Sequence, residues 1–173
     1  MVTHIARLFL ACAALTCYAH FSVAALQAAD AEPTTSPQAK PAAKYTTASL
    51  RGKIVWLSDA LKDRYGINTH PDAAKSMMAL DSTDGQLYPL VLDTRGRAFQ
   101  IDERLREGEL ELLVRRYEGS PLVQVIRLYR VKPDGKYEVD YWCDICSISM
   151  VINKPCDCCQ QPTRIREQKV DSK

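Results

Sequence analysis

Five cysteines fall within 17 residues near the C-terminal end of the sequence: Cys143-x-x-Cys146, a nine-residue spacer, then Cys156-x-Cys158-Cys159. Thiols gathered this densely can do chemistry that isolated buried thiols do not. Two closely spaced pairs joined by a short reversing loop bring four thiolates to one tetrahedral ion, as in zinc ribbons. Cys143, Cys146, Cys156, Cys158 and Cys159 are therefore candidate metal ligands, with zinc the expected ion and one of the five left spare. A spare sulfur also suits Cu(I) or a cluster, both of which favour soft donors. Four thiolates on Zn²⁺ carry a formal charge of about −2. Asp144 and Asp157 add to that charge, while Lys154, Arg164 and Arg166 are placed in sequence to offset it.

Three further chemistries compete for the same residues. Structural disulfides are a second use: in an oxidising compartment two bridges would staple a small domain and leave one thiol free. Cys158 and Cys159 are adjacent and do not bond to each other without strain, so both bridges would run between the two clusters. Third, Trp142-Cys143-Asp144-Ile145-Cys146 resembles the Trp-Cys-x-x-Cys of thioredoxin-like oxidoreductases. The resemblance ends there, because that chemistry places its first cysteine at a helix start. Here the following residues, Ser147-Ile148-Ser149-Met150-Val151-Ile152, are β-formers. Covalent haem attachment is excluded because no histidine follows Cys146. The fourth use is transfer of a soft metal ion, with Met150 as a possible auxiliary donor.

The rest of the chain must position these thiols, and its ends read differently from its middle. Residues 1–31 read as a signal peptide. Arg7 precedes an apolar stretch over 8–26, and Ala29-Asp30-Ala31 supplies the small-x-small cleavage pattern. The protein is therefore expected to be exported, to a periplasmic, extracellular or cell-surface location. A membrane association is expected only if this segment stays uncleaved, since its ~19 apolar residues just suffice to span a bilayer. Residues 32–51 contain Pro33, Pro37 and Pro41 and no large apolar residue before Tyr45, which reads as a disordered linker. Residues 52–142 remain to build a core, followed by the Cys-rich segment 143–166 and a disordered end at 167–173. The net charge of +2 comes from intermixed Lys, Arg, Asp and Glu, which leaves no footprint for a nucleic-acid partner. The partner is expected to be another ligand or protein of unspecified kind.

Within the core segment, Gly52-Lys53-Ile54-Val55-Trp56-Leu57 reads as a first strand. Ser58-Asp59 starts a short helix that Gly66 ends, and a second helical turn follows Pro71. Apolar runs at 77–81 and 86–92 flank Asp84-Gly85, a hairpin signal. The spacing of Ala98, Ile101 and Leu105 predicts a helix between 97 and 106. Three β-rich runs at 109–117, 121–131 and 136–142 are separated by Glu118-Gly119-Ser120 and Lys132-Pro133-Asp134-Gly135, so an antiparallel meander is expected. The fold class is mainly β with one or two short helices and a Cys-rich C-terminal extension. The strand order resembles a small oligonucleotide/oligosaccharide-binding (OB) antiparallel barrel.

Other reactive residues have simpler uses. His70 is the only histidine outside the apolar leader and sits in a loop before Pro71, which argues against a conventional hydrolase. Asp93, Asp102 and Glu103 flank a helix and read as solvated charges rather than an acid–base pair. Arg115, Arg116, Arg127 and Arg130 read as the outer side of strands. Tyr117, Tyr129, Tyr137, Tyr141 and Trp142 read as packing. The expected function is a non-catalytic exported binding module with a structural metal in its Cys cluster. The alternatives are a thiol redox or soft-metal-transfer protein and a disulfide-stapled structural domain.

Overall fold

The computed structural model describes residues 43–171. The signal segment expected over 1–31 and most of the linker lie outside them. Eight strands form one antiparallel sheet: β1 (Tyr45–Trp56), β2 (Met78–Ser82), β3 (Leu87–Pro89), β4 (Glu109–Tyr117), β5 (Val123–Lys132), β6 (Gly135–Cys143), β7 (Ile148–Met150) and β8 (Arg164–Val170). Two helices accompany it, α1 (Leu57–Tyr65) between β1 and β2 and α2 (Thr94–Ile101) between β3 and β4. No helix among the described residues is long and apolar enough to cross a membrane.

The ladder runs β3-β2-β1-β4-β5-β6. β5 pairs with residues 135–138 of β6 and β7 with residues 141–143, while β8 pairs along residues 136–142. A strand has two edges, so β5 and β7 share one edge of β6 in succession and β8 takes the other. β6 is thus the seam that joins the meander to the cysteine segment. The sheet is not closed. Its curvature brings the chain after β3 back to the start of β5, where Leu90 and Val123 form a single parallel bridge and the Val91 N–H donates to the Val123 carbonyl at 2.9 Å.

Local sequence explains most boundaries. Gly66 adopts φ 67° and its N–H returns to the Leu61 and Lys62 carbonyls, ending α1 with a left-handed cap. Asp93 Oδ1 accepts from the Arg95 and Gly96 amides at 3.0 Å, starting α2. Inward-facing Leu50, Ile54, Leu80, Leu110, Leu112, Val114, Val125 and Val139 build the core with Ala98 and Phe99 of α2. At Gly52 the strands β1 and β2 approach so closely that a Cβ would strike the Asp81 carbonyl, which is why a glycine sits inside a strand.

Three boundaries differ from the expectation. The helix expected between 97 and 106 is two pieces, α2 and a 3-10 turn over Glu103–Arg106, because Asp102 interrupts it with an extended backbone and caps the second piece. β1 begins at Tyr45 rather than Gly52, inside the segment expected as linker. Polar residues there pair with β4, and Tyr45 packs edge-on against Tyr117 at 5.6 Å between centroids. β8 occupies 164–170 and so takes in most of the segment expected as a loose end. Its strand is held by cross-strand ion pairs: Arg166 with Asp140 at 2.5 Å, and Glu167 with Arg130 at 2.9 Å and Lys132 at 2.6 Å.

Candidate metal centre

The cysteines lie on two turns of the same design. β6 ends at Cys143, and the chain reverses through Cys143-Asp144-Ile145-Cys146 before entering β7. The Ser147 N–H donates to the Cys143 carbonyl at 2.9 Å, with Ser147 at φ 54°. The second turn is Cys156-Asp157-Cys158-Cys159, and the Gln160 N–H donates to the Cys156 carbonyl at 2.9 Å, with Gln160 at φ 60°. Both turns are therefore Cys-x-x-Cys followed by one left-handed residue, a conformation that non-glycine residues adopt at a cost. These are the only two non-glycine residues with positive φ among the described residues. Spending that cost twice, at equivalent positions, directs two thiols of each turn to one side.

The result is a four-sulfur group. The Sγ atoms of Cys143, Cys146, Cys156 and Cys159 all lie within 4.8 Å of one another, and Cys143 and Cys159 are 3.5 Å apart. Cys143 and Cys156 are fully buried, and Cys146 and Cys159 are half-buried. All five cysteines in the described residues are free thiols, so the two inter-cluster bridges of the stapled alternative are not formed. Cys158 is exposed and outside the group. The turn geometry gives the reason, since Cys158 occupies the same outward position as Ile145, which is 69% exposed. The sequence alone offered five thiols; the structure brings four together.

Four sulfurs suit a tetrahedral soft or borderline ion. Zn–S bonds of about 2.3 Å place neighbouring sulfurs about 3.8 Å apart in a tetrahedron. The spread seen here brackets that value, whereas a disulfide needs about 2.05 Å. The donors are all thiols, with no carboxylate or imidazole in the group. Such a set fills all four positions from protein and leaves none for substrate, the signature of a structural rather than a catalytic site.

The surroundings already stabilise negative sulfur in part. The amide N–H groups of Cys159 and then Cys158 point at Cys156 and pull its thiol down to about 7. The Cys146 amide, 3.5 Å from Cys143 Sγ, also favours a thiolate there. Burial and the neighbouring thiols Cys159 and Cys156 outweigh it and push Cys143 up. Cys146 is pushed up as well, first by Cys158 and then by Cys159. Crowded thiols compete for one negative charge, and a cation between them would relieve that competition. The flanking acids do not add free charge, because Asp144 is paired with Arg164 at 2.8 Å and Asp157 with Lys154 at 2.6 Å. Arg166, paired with Asp140, lies 3.6 Å over the Trp142 ring beside Cys143.

One residue that ties the centre to the sheet was not singled out as such by the sequence. Asp102 is 6% exposed, and its Oδ2 accepts from the Tyr141 hydroxyl at 2.7 Å and from Asn153 Nδ2 at 3.3 Å. Tyr141 is in β6 and Asn153 in the loop between the two cysteine turns. Arg104 pairs with the same carboxylate at 2.5 Å, and that contact, more than the Tyr141 bond, lowers its pKa to about 2. The sequence placed Asp102 beside a helix as a solvated charge. Its burial depends on the strand β6 packing over it, which no local pattern announces.

The other candidates have structural uses. His70 is exposed, and its Nδ1 accepts from the Asp72 amide at 3.3 Å. Asp93 caps α2 and accepts from Gln124 at 2.7 Å. Glu103 pairs with Arg106 at 3.7 Å and Arg127 with Glu138 at 3.1 Å. Arg115 and Arg116 lie over the rings of Tyr45 and Tyr88. Comparison with protein-family models, curated proteins and solved structures gives no significant match.

Proposed function

We propose that this protein is an exported, non-catalytic binding module in which Cys143, Cys146, Cys156 and Cys159 hold one structural zinc ion. The observation that carries the metal reading is the pair of equivalent Cys-x-x-Cys turns that converge four thiols within 4.8 Å. When bound, zinc supplies charge compensation and a cross-link between β6 and the loop before β8. The chain's own part is to present the sulfurs, and the Asp102–Asn153 bond fixes the loop that carries them. Export is supported by the character of residues 1–31. A binding role is supported by the sheet order, in which β1 pairs with both β2 and β4, a helix precedes β4, and the β3 end meets β5 in parallel. That order is compatible with an open relative of the OB-like barrel, a fold that presents a ligand-binding face, although the sheet itself stays open.

Metal analysis of the purified chain with thiol alkylation tests the reading. The expected result is one zinc per chain, with four thiols protected until a chelator is added and Cys158 reactive throughout. Metal-free protein with several reactive thiols would instead favour soft-metal transfer or thiol redox chemistry, a second reading that takes its support from exposed Cys158 beside the group.

A further inference from the structure

Cys158 is the one thiol of the cluster outside the four-sulfur group, and it is exposed. It is not isolated, because its thiol is the foremost neighbour acting on the thiol of Cys146. The other grouped sulfurs meet different partners. Cys156 meets the backbone amide of Cys158 rather than its sulfur, and Cys143 meets the thiols of Cys159 and Cys156. Cys146 is also only half-buried, whereas Cys143 and Cys156 are fully buried. Cys158 and Cys146 thus form a pair across the two turns, one sulfur open to solvent and one partly sheltered within the group. The competing partner, Cys159, adjoins Cys158 in sequence, and adjacent cysteines bond only with strain.

This pair has a chemistry that holding a metal leaves unused. A peroxide arriving from solvent meets Cys158 first. The Cys158 sulfur attacks one peroxide oxygen, so that an S–O bond forms as O–O breaks, hydroxide leaves, and a sulfenic acid results. The Cys146 sulfur then displaces that hydroxyl, forming S–S as S–O breaks. In sum the two thiols give up two protons and two electrons, and one hydrogen peroxide becomes two waters. The bridge takes Cys146 out of the donor set and leaves three sulfurs, short of the four that a closed structural site uses.

We propose that Cys158 is a peroxide-sensitive modification site whose oxidation to a disulfide with Cys146 releases the metal and unlocks the two turns. The proposal rests on reading Cys143, Cys146, Cys156 and Cys159 as a zinc site. It is tested by treating the zinc-loaded full chain with hydrogen peroxide and reading freed zinc with a metallochromic indicator. Free and bridged cysteines are then labelled with two different alkylating tags, before and after reduction, and located by tandem mass spectrometry. One zinc per chain should be freed as Cys146 and Cys158 acquire the second tag. Cys158→Ser should carry the parent's zinc content before treatment and release it at least about tenfold more slowly, since the exposed thiol is the one the oxidant reaches. Release from Cys158→Ser as fast as from the parent, a second tag on any other pair, or a treated parent that keeps its zinc overturns the switch and leaves the zinc site standing. Reduced, untreated chain that binds no zinc fails the metal reading itself, and the switch with it.

Discussion

The sheet and the cysteine segment hold themselves together by different physics. From β1 to β6 the chain buries a continuous apolar cluster, with Leu80, Leu90, Leu110, Leu112 and Val114 fully inside. Between residues 144 and 163 only Met150 and Cys156 are buried. That segment has almost no apolar core of its own, and its turns contain two non-glycine residues at positive φ. Burial can therefore account for the first region and not for the second. In the second, four thiols converge, and a metal cross-link through them is the stabilisation we propose.

This contrast is broken most directly by withholding the metal we propose for the four thiols. Structural zinc binds small peptides with roughly 10–16 kcal/mol, so chelation or Cys156→Ser should release residues 144–163 from protection while β1–β5 stays folded. Amide hydrogen exchange reads this, and loss of protection across the whole sheet would show that the two regions are one cooperative unit. The converse change, Leu112→Ala, opens the buried sheet core and should cost about 2–5 kcal/mol. Chemical denaturation should find that loss with zinc still bound to the cysteine turns in the native state.

Asp102 joins the regions, and its substitution sharpens the comparison. Asp102→Asn keeps the shape but weakens the bonds to Arg104, Tyr141 and Asn153, an expected loss of about 1–3 kcal/mol. The pH dependence has a definite sign. The folded pKa of Asp102 is lowered to about 2 from 3.8, so its stabilisation is complete above about pH 4 and is lost as pH falls toward 2. Melting temperatures of parent and variant should therefore draw together below about pH 4 and converge only as pH approaches 2, and a constant gap would assign the effect to something other than this carboxylate. The smallest effect belongs to Cys158→Ser, which should leave zinc content and stability within about 0.5 kcal/mol of the parent. A drop in zinc content would place Cys158 among the ligands.

Much of the sheet was legible in the sequence because its signals are local. Alternation in 109–142 and the turn residues Gly119, Asp134 and Gly135 mark the meander, and Asp84-Gly85 marks the hairpin before it. β8 was not legible, since Arg164–Val170 alternates weakly and gains its strand from ion pairs with Asp140, Arg130 and Lys132 far earlier in the chain. The start of β1 at Tyr45 was hidden for the same reason, its polar residues taking their order from β4. The cysteine cluster was plain, but the choice of four among five was not. It follows from Cys158 occupying the outward place in a turn whose twin carries Ile145, a relation between two backbone conformations rather than two spacings.

Zinc K-edge X-ray absorption on the purified protein tests the central claim, that four thiolates close a structural centre. The account predicts a single shell of four sulfurs at about 2.3 Å with no lighter donor. A shell containing nitrogen or oxygen, or protein that binds no zinc with its thiols reduced, would contradict it.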